Sequence, residues 1–93
     1  MSSNKIKCLH ILLKKQSEAL LVLDRLKKGE SFSTLAKELS IDKASGKRGG
    51  DLGFFRKGMM VKPFEEVAFR LEKGQISEPV KTEFGYHIIK RIS

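Results

Sequence analysis

Two segments at opposite ends of the chain constrain its fold more than anything between them. Residues 5–14 read "KIKCLHILLK" and residues 86–92 read "YHIIKRI". Both lack Pro and Gly and are nearly continuously apolar in their central parts, the pattern of strands covered on both faces. The other strand candidates are weaker. "LGFF" (residues 52–55) is short, and "ISEPVKTEFG" (residues 76–85) contains Pro79, which cannot donate to a sheet ladder and belongs at an edge. The terminal segments are therefore expected to pair in the centre of one sheet. Each carries one of the chain's two histidines, so that pairing would bring His10 and His87 within reach of each other.

Helical periodicity fills most of the chain between them. In "QSEALLVLDRLKKGE", Ala19, Val22, Leu23 and Leu26 recur at helical spacing, with Ser17 as the expected cap and Gly29 just past the end. "SFSTLAKELS" repeats the pattern with Phe32, Leu35, Ala36 and Leu39 behind a Ser31 cap. "IDKASGKRGGD" loses periodicity, is rich in glycine and basic residues, and reads as a loop. Pro63 suits the first position of a third helix carrying Phe64, Val67, Ala68 and Leu71 and closed by Gly74. The order is β-α-α-loop-β-α-β-β, an α+β class with a small sheet. The reading is one domain over residues 1–93, with residues 1–4 as a disordered tip.

Composition narrows the function only coarsely. Of the 93 residues, 19 are basic and 11 acidic, for a formal net charge of +8. This favours a polyanion, either nucleic acid or an anionic membrane surface, as a partner of the Lys/Arg-rich face. The charges are interspersed rather than blocked, which suits an ordinary solvated surface equally well. The charge also suggests a preference for acidic substrates. Cys8 is the only cysteine, so no intramolecular disulfide forms, and a reducing, cytoplasmic setting is expected. The first residues, "MSSNKIK", contain no apolar leader, and no stretch approaches the roughly 20 apolar residues of a membrane span.

Most catalytic constellations are incomplete. Cys8 and His10 alternate on one strand, and His87 would make a third ligand, but a structural zinc site needs a fourth. No "GxSxG" elbow occurs, and "SGKRGGDLG" lacks the spacing of a phosphate-binding loop. No metal or cofactor is expected. The histidine pair reads either as a hydrogen-bonded core feature or as a network that orients a site. In "GMMVKPFEEVAF", the cluster Met59, Met60, Phe64 and Phe69 reads either as core or as a pliable pocket for a small apolar ring.

The motifs "HILLK", "LAKELSID", "GKRGGDLGFF", "GMMVKPFEEVAF" and "ISEPVKTEFGYHIIK" occur in the order seen in parvulin-type peptidyl-prolyl cis/trans isomerases. The chain resembles a minimal, single-domain archaeal or bacterial parvulin over residues 5–92. The resemblance implies a four-stranded antiparallel sheet surrounded by helices (parvulin/FKBP-like) and isomerisation of X-Pro bonds in proline-containing polypeptides by a monomer. By the same resemblance, His10 and His87 are the two histidines of the central strands, and Thr82 joins their network. Leu52, Met60 and Phe64 receive the proline ring, with Phe84 at the pocket edge. Asp42 stands beside the isomerising bond, where a carboxylate repels the substrate carbonyl oxygen from its planar position. Phosphate-directed parvulins have a long basic loop after the first strand. Here that junction is "KKQSEA", with Lys14 and Lys15 but no arginine pair for a bidentate phosphate clamp, so phosphorylation-dependent specificity is not expected. The rival readings are a proline-binding or chaperone module without catalysis, and a polyanion-binding protein.

Overall fold

A computed structural model describes residues 4–93; the expected disordered tip falls outside the described residues except for Asn4, which is exposed ahead of the first strand. The elements are β1 (Lys5–Leu13), α1 (Gln16–Lys27), α2 (Phe32–Leu39), α3 (Lys43–Gly46), β2 (Asp51–Arg56), α4 (Lys62–Arg70), β3 (Val80–Thr82) and β4 (Gly85–Arg91). The four strands form one antiparallel sheet in the order β2-β1-β4-β3. The terminal strands occupy its centre and the Pro79-flanked segment its edge, as expected.

The register assigns residues to faces. His10 lies opposite Ile89, and Leu12 opposite His87. Because side chains alternate, Cys8, His10 and Leu12 share a face with Ile89 and His87, while Ile11 and Leu13 share the other with Ile88. The first face packs Ile6, Cys8, Phe55 and Ile89 against Phe64, Ala68 and Leu71 from α4 and its end. The second packs Ile11, Leu13 and Ile88 against Ala19, Val22 and Leu23 of α1 and Phe32, Leu35 and Ala36 of α2. No helix among the described residues is long and apolar enough to cross a membrane.

Four local details differ from the sequence reading. Ser17 is inside α1; Lys15 is the residue ahead of the helix, and its backbone N–H donates to the Glu18 carboxylate. Glu18 thus reaches back from the first turn to the N–H of the residue ahead of the helix, the reciprocal half of a capping box. The segment read as a loop contains α3, whose single turn is too short to show periodicity. Pro63 is the second helical residue, since Lys62 opens α4. That helix ends at Arg70, well before Gly74, because Leu71 turns extended and buries its side chain while the Arg91 guanidinium donates to its carbonyl.

Candidate active site

The sheet places the two histidines. On a shared face, His87 is two residues from the direct partner of His10, a diagonal relation that long aromatic side chains can bridge. Their Nδ1 atoms are 3.0 Å apart, and both rings are buried. Phe64 from α4, only 2% exposed, stands edge-on to both imidazoles, with ring centroids 5.8 Å from His10 and 5.2 Å from His87. Gly50 holds the backbone behind them. His10 N–H donates to its carbonyl at 2.9 Å, and a Cβ at Gly50, whose φ is +90°, would collide with the His10 carbonyl oxygen.

Asp42 is brought in from the other edge of β1. Pairing with β2 ends at Leu9, and beyond it the Leu12 N–H donates to Ser40 Oγ while Leu12 O accepts from the Ile41 N–H. The chain between α2 and α3 is thereby tied to the strand, and Asp42 follows at once. Its Oδ2 lies 2.7 Å from His10 Nε2 and 2.6 Å from the hydroxyl of Ser45, which is buried in α3. Thr82 Oγ1 lies 2.7 Å from His87 Nε2 and accepts the Phe84 N–H.

These contacts set the direction of every proton in the chain. Burial raises the Asp42 carboxyl, but hydrogen bonds from Ser45 and His10 outweigh it and leave its pKa below the ordinary value. Asp42 is therefore an ionised acceptor, so His10 Nε2 carries the hydrogen. Burial lowers the pKa of His10 more than Asp42 raises it, so the ring is neutral and its Nδ1 has only a lone pair to offer. His87 Nδ1–H must then donate to His10 Nδ1, and the Thr82 hydroxyl to His87 Nε2. Burial, together with the neighbouring His10, lowers the His87 pKa to about 4. Both imidazoles are neutral at pH 7, and the contact to Asp42 is a hydrogen bond to a carboxylate rather than an ion pair.

In front of the network is an open cavity of about 500 Å³, lined by His10, Leu12, Asp42, Leu52, Met59, Met60, Val61, Phe64, Phe84 and His87. Asp42 is the one formally charged side chain among them. Leu52 reaches the cavity because of a bulge: β2 spends three steps, from Phe54 to Asp51, where β1 spends two, from Lys7 to Leu9. Gly53, at φ +72°, absorbs the extra residue, and its N–H donates to Asp51 Oδ1. The shift turns Leu52 towards the face of Phe55 instead of that of exposed Phe54.

Of the residues expected from the sequence, His10, Asp42, Leu52, Met60, Phe64, Phe84 and His87 meet at this cavity, while Thr82 lies behind it as the partner of His87. Phe69 is separated from the Met59–Met60 cluster and lines a different, basic recess. Ser45 was not anticipated; it stands in a glycine-rich segment with no periodicity, and only the fold reveals its contact with Asp42. Leu12, from the first strand, and Val61, within the "GMMVKPFEEVAF" motif, line the cavity as well. Among the described residues, no group of three or more His, Cys, Asp or Glu side chains forms a metal ligand set.

Comparison with known proteins agrees with this geometry. Residues 10–93 match the model of the rotamase family described as the PPIC-type PPIase domain. The chain is 56% identical over 86 residues to the foldase protein PrsA of Geobacillus kaustophilus, covering 92% of this chain and 31% of that protein. It therefore spans about a third of the length of such curated relatives. Among solved structures, the parvulin of Nitrosopumilus maritimus superposes with a TM-score of 0.89 at 64% identity, each chain covered over 100% of its length. The PrsA peptidylprolyl isomerase of Bacillus anthracis superposes with a TM-score of 0.94 at 46% identity, covering 96% of this chain and 41% of that one. The chain belongs to the PPIC-type peptidyl-prolyl cis/trans isomerase family, the parvulin-type rotamases.

Proposed function

We propose that the cavity binds the proline of an X-Pro segment in a polypeptide and lowers the barrier to rotation about the preceding amide without moving a proton. The observation that carries this reading is an apolar cavity backed by a neutral, fully hydrogen-bonded histidine pair. The cis and trans forms of X-Pro differ by only about 0.5–1 kcal/mol, and the barrier of about 18–20 kcal/mol is lost amide resonance. No covalent bond breaks. A catalyst needs to hold the ring and favour the twisted amide over either planar form. Leu52, Met60 and Phe64 grip the ring, and half-exposed Phe84 closes one edge. His10, His87 and Thr82 form the floor that keeps Phe64 in place. His10 and Ser45 hold the Asp42 carboxylate at the cavity wall, where its charge repels the substrate carbonyl oxygen from the plane.

No lysine or arginine lines the cavity, and Lys14 borders a groove on the opposite face of the sheet, which supports turnover independent of phosphorylation. The domain would act as a monomer. The compartment is proposed as the cytoplasm because Cys8 is the only cysteine and no intramolecular disulfide forms, and fractionation of cells checks it. NMR titration tests the central reading. Ala-Leu-Pro-Phe is expected to shift Leu52, Met60 and Phe64, and the same peptide with Ala in place of Pro is not; equal shifts from both would refute a proline site.

A second reading concerns the basic face. Lys5, Arg56, Lys57 and Arg91 line a recess of about 510 Å³ with no acidic residue among its walls. This supports a polyanion, nucleic acid or an anionic membrane surface, as an additional partner. Binding to such a surface should weaken steeply with salt; salt-independent binding would count against it.

A further inference from the structure

The cavity contains a chemistry that proline binding does not use. Two of the chain's three methionines, Met59 and Met60, are adjacent in sequence and line the same cavity wall; Met1 lies outside the described residues. Met59 is 61% exposed and Met60 half-buried, so a small solute reaches both thioethers without unfolding. The lone thiol is in the opposite situation. Cys8 is 0% exposed in the core beneath the sheet. Burial holds its pKa at about 11 despite the counteracting charge of Arg91, so almost no thiolate exists at neutral pH. Oxidants react with exposed thioethers and with thiolates, not with a buried neutral thiol. Among the described residues, the accessible sulfur atoms are therefore all in the proline cavity.

We infer that Met59 and Met60 form an oxidation-sensitive modification site, and that conversion to methionine sulfoxide by a peroxide closes the cavity to proline. This rests on the reading of the cavity as the proline site. In each event the thioether sulfur attacks one peroxide oxygen and the O–O bond breaks. The S–O bond forms as sulfur is oxidised by two electrons, and the other oxygen leaves as water. The product places a strong hydrogen-bond acceptor against Leu52, Val61 and Phe64, which offer no side-chain donor. A proline ring seated there would strip water from the sulfoxide without replacing its hydrogen bonds, and the grip is lost. The change is reversible, because sulfoxide reductases restore the thioether. The single oxidised form of this domain would then be a silenced isomerase rather than a damaged core.

The test uses the intact protein, treated with hydrogen peroxide and mapped by peptide mass spectrometry. Turnover and binding of Ala-Leu-Pro-Phe are measured before and after treatment. The wild-type protein is expected to gain one oxygen at Met59 and at Met60, and to lose about tenfold in kcat/KM and in affinity. Methionine sulfoxide reductase should restore both. The variant Met59→Leu/Met60→Leu retains Met1 and Cys8, and is expected to show no loss relative to its own untreated control. Full activity with both sulfoxides present would overturn the proposal, and so would an equal loss in the double Leu variant. An untreated protein that binds peptide but does not turn it over refutes the isomerase reading alone. The change in binding on oxidation then decides the present proposal.

Discussion

At the scale of single residues, the site depends on His87 being uncharged. Its pKa of about 4 in the fold lies below the ordinary 6.5, so the unfolded chain takes up its proton more readily than the folded one. The stability this group contributes is complete above about pH 6.5 and is lost as the pH falls towards 4, up to about 3 kcal/mol. His10, also held below its ordinary value by burial, adds to the loss in the same window. Urea midpoints at pH 7.5, 5.5 and 4.5 should fall in that order, and an unchanged midpoint would mean that the imidazoles are not buried neutral. His87→Ala removes the partner of both His10 and Thr82 and should cost about 2–4 kcal/mol together with turnover. A variant that kept its melting temperature and lost all activity would make His87 a chemical participant instead. Asp42 sets a second expectation. The overall charge suggests acidic substrates, but the cavity's own charge is a carboxylate. At about 7 Å, screened as in bulk water, it should favour Arg over Glu before proline by roughly tenfold. Asp42→Asn should narrow that ratio, and equal kcat/KM for Glu-Pro and Arg-Pro peptides in the wild-type protein would show that Asp42 does not read the residue.

At the scale of elements, what was legible in the sequence is what repeats. The central strands stand out because Ile and Leu runs without Pro have few other homes. α1, α2 and α4 stand out because their apolar residues recur at helical spacing. Ser31 caps α2 through the Thr34 N–H as its position implied, whereas Ser17 lies inside α1, and the hydrogen bond at that helix start runs from the Lys15 N–H to Glu18. α3 was not legible, since one turn has no period, and with it went Ser45. The bulge in β2 also left only a faint trace, a glycine inside a short strand. That glycine makes a test. At Gly53 nothing crowds a Cβ, so Gly53→Ala acts through backbone strain at positive φ alone. It should cost about 1–2 kcal/mol and raise KM severalfold by turning Leu52 away from the cavity. Thermal melts and peptide kinetics on the one variant check both, and an unchanged KM would remove Leu52 from the proline grip.

At the scale of the molecule, two functions of surface are kept apart. The basic recess is at the start of β1 and the cavity is near its end, about 17 Å away along five residues of strand. The net charge of +8 is thus carried mostly outside the cavity, and salt should weaken polyanion binding while leaving turnover of an uncharged peptide unchanged. The family motifs made the cavity residues readable as a set from the sequence. The proton order through Thr82, His87, His10 and Asp42 needed the distances. The measurement that tests the account most directly is exchange NMR on an Ala-Leu-Pro-Phe peptide, with cis and trans signals followed with and without a catalytic amount of the protein. The account predicts accelerated interconversion at an unchanged cis/trans ratio, undiminished from pH 7 to 8, above the ordinary histidine value from which burial lowers both imidazoles. Binding without acceleration, or a rate that rises and falls with a group titrating in that range, would contradict a site that works by grip rather than by proton transfer.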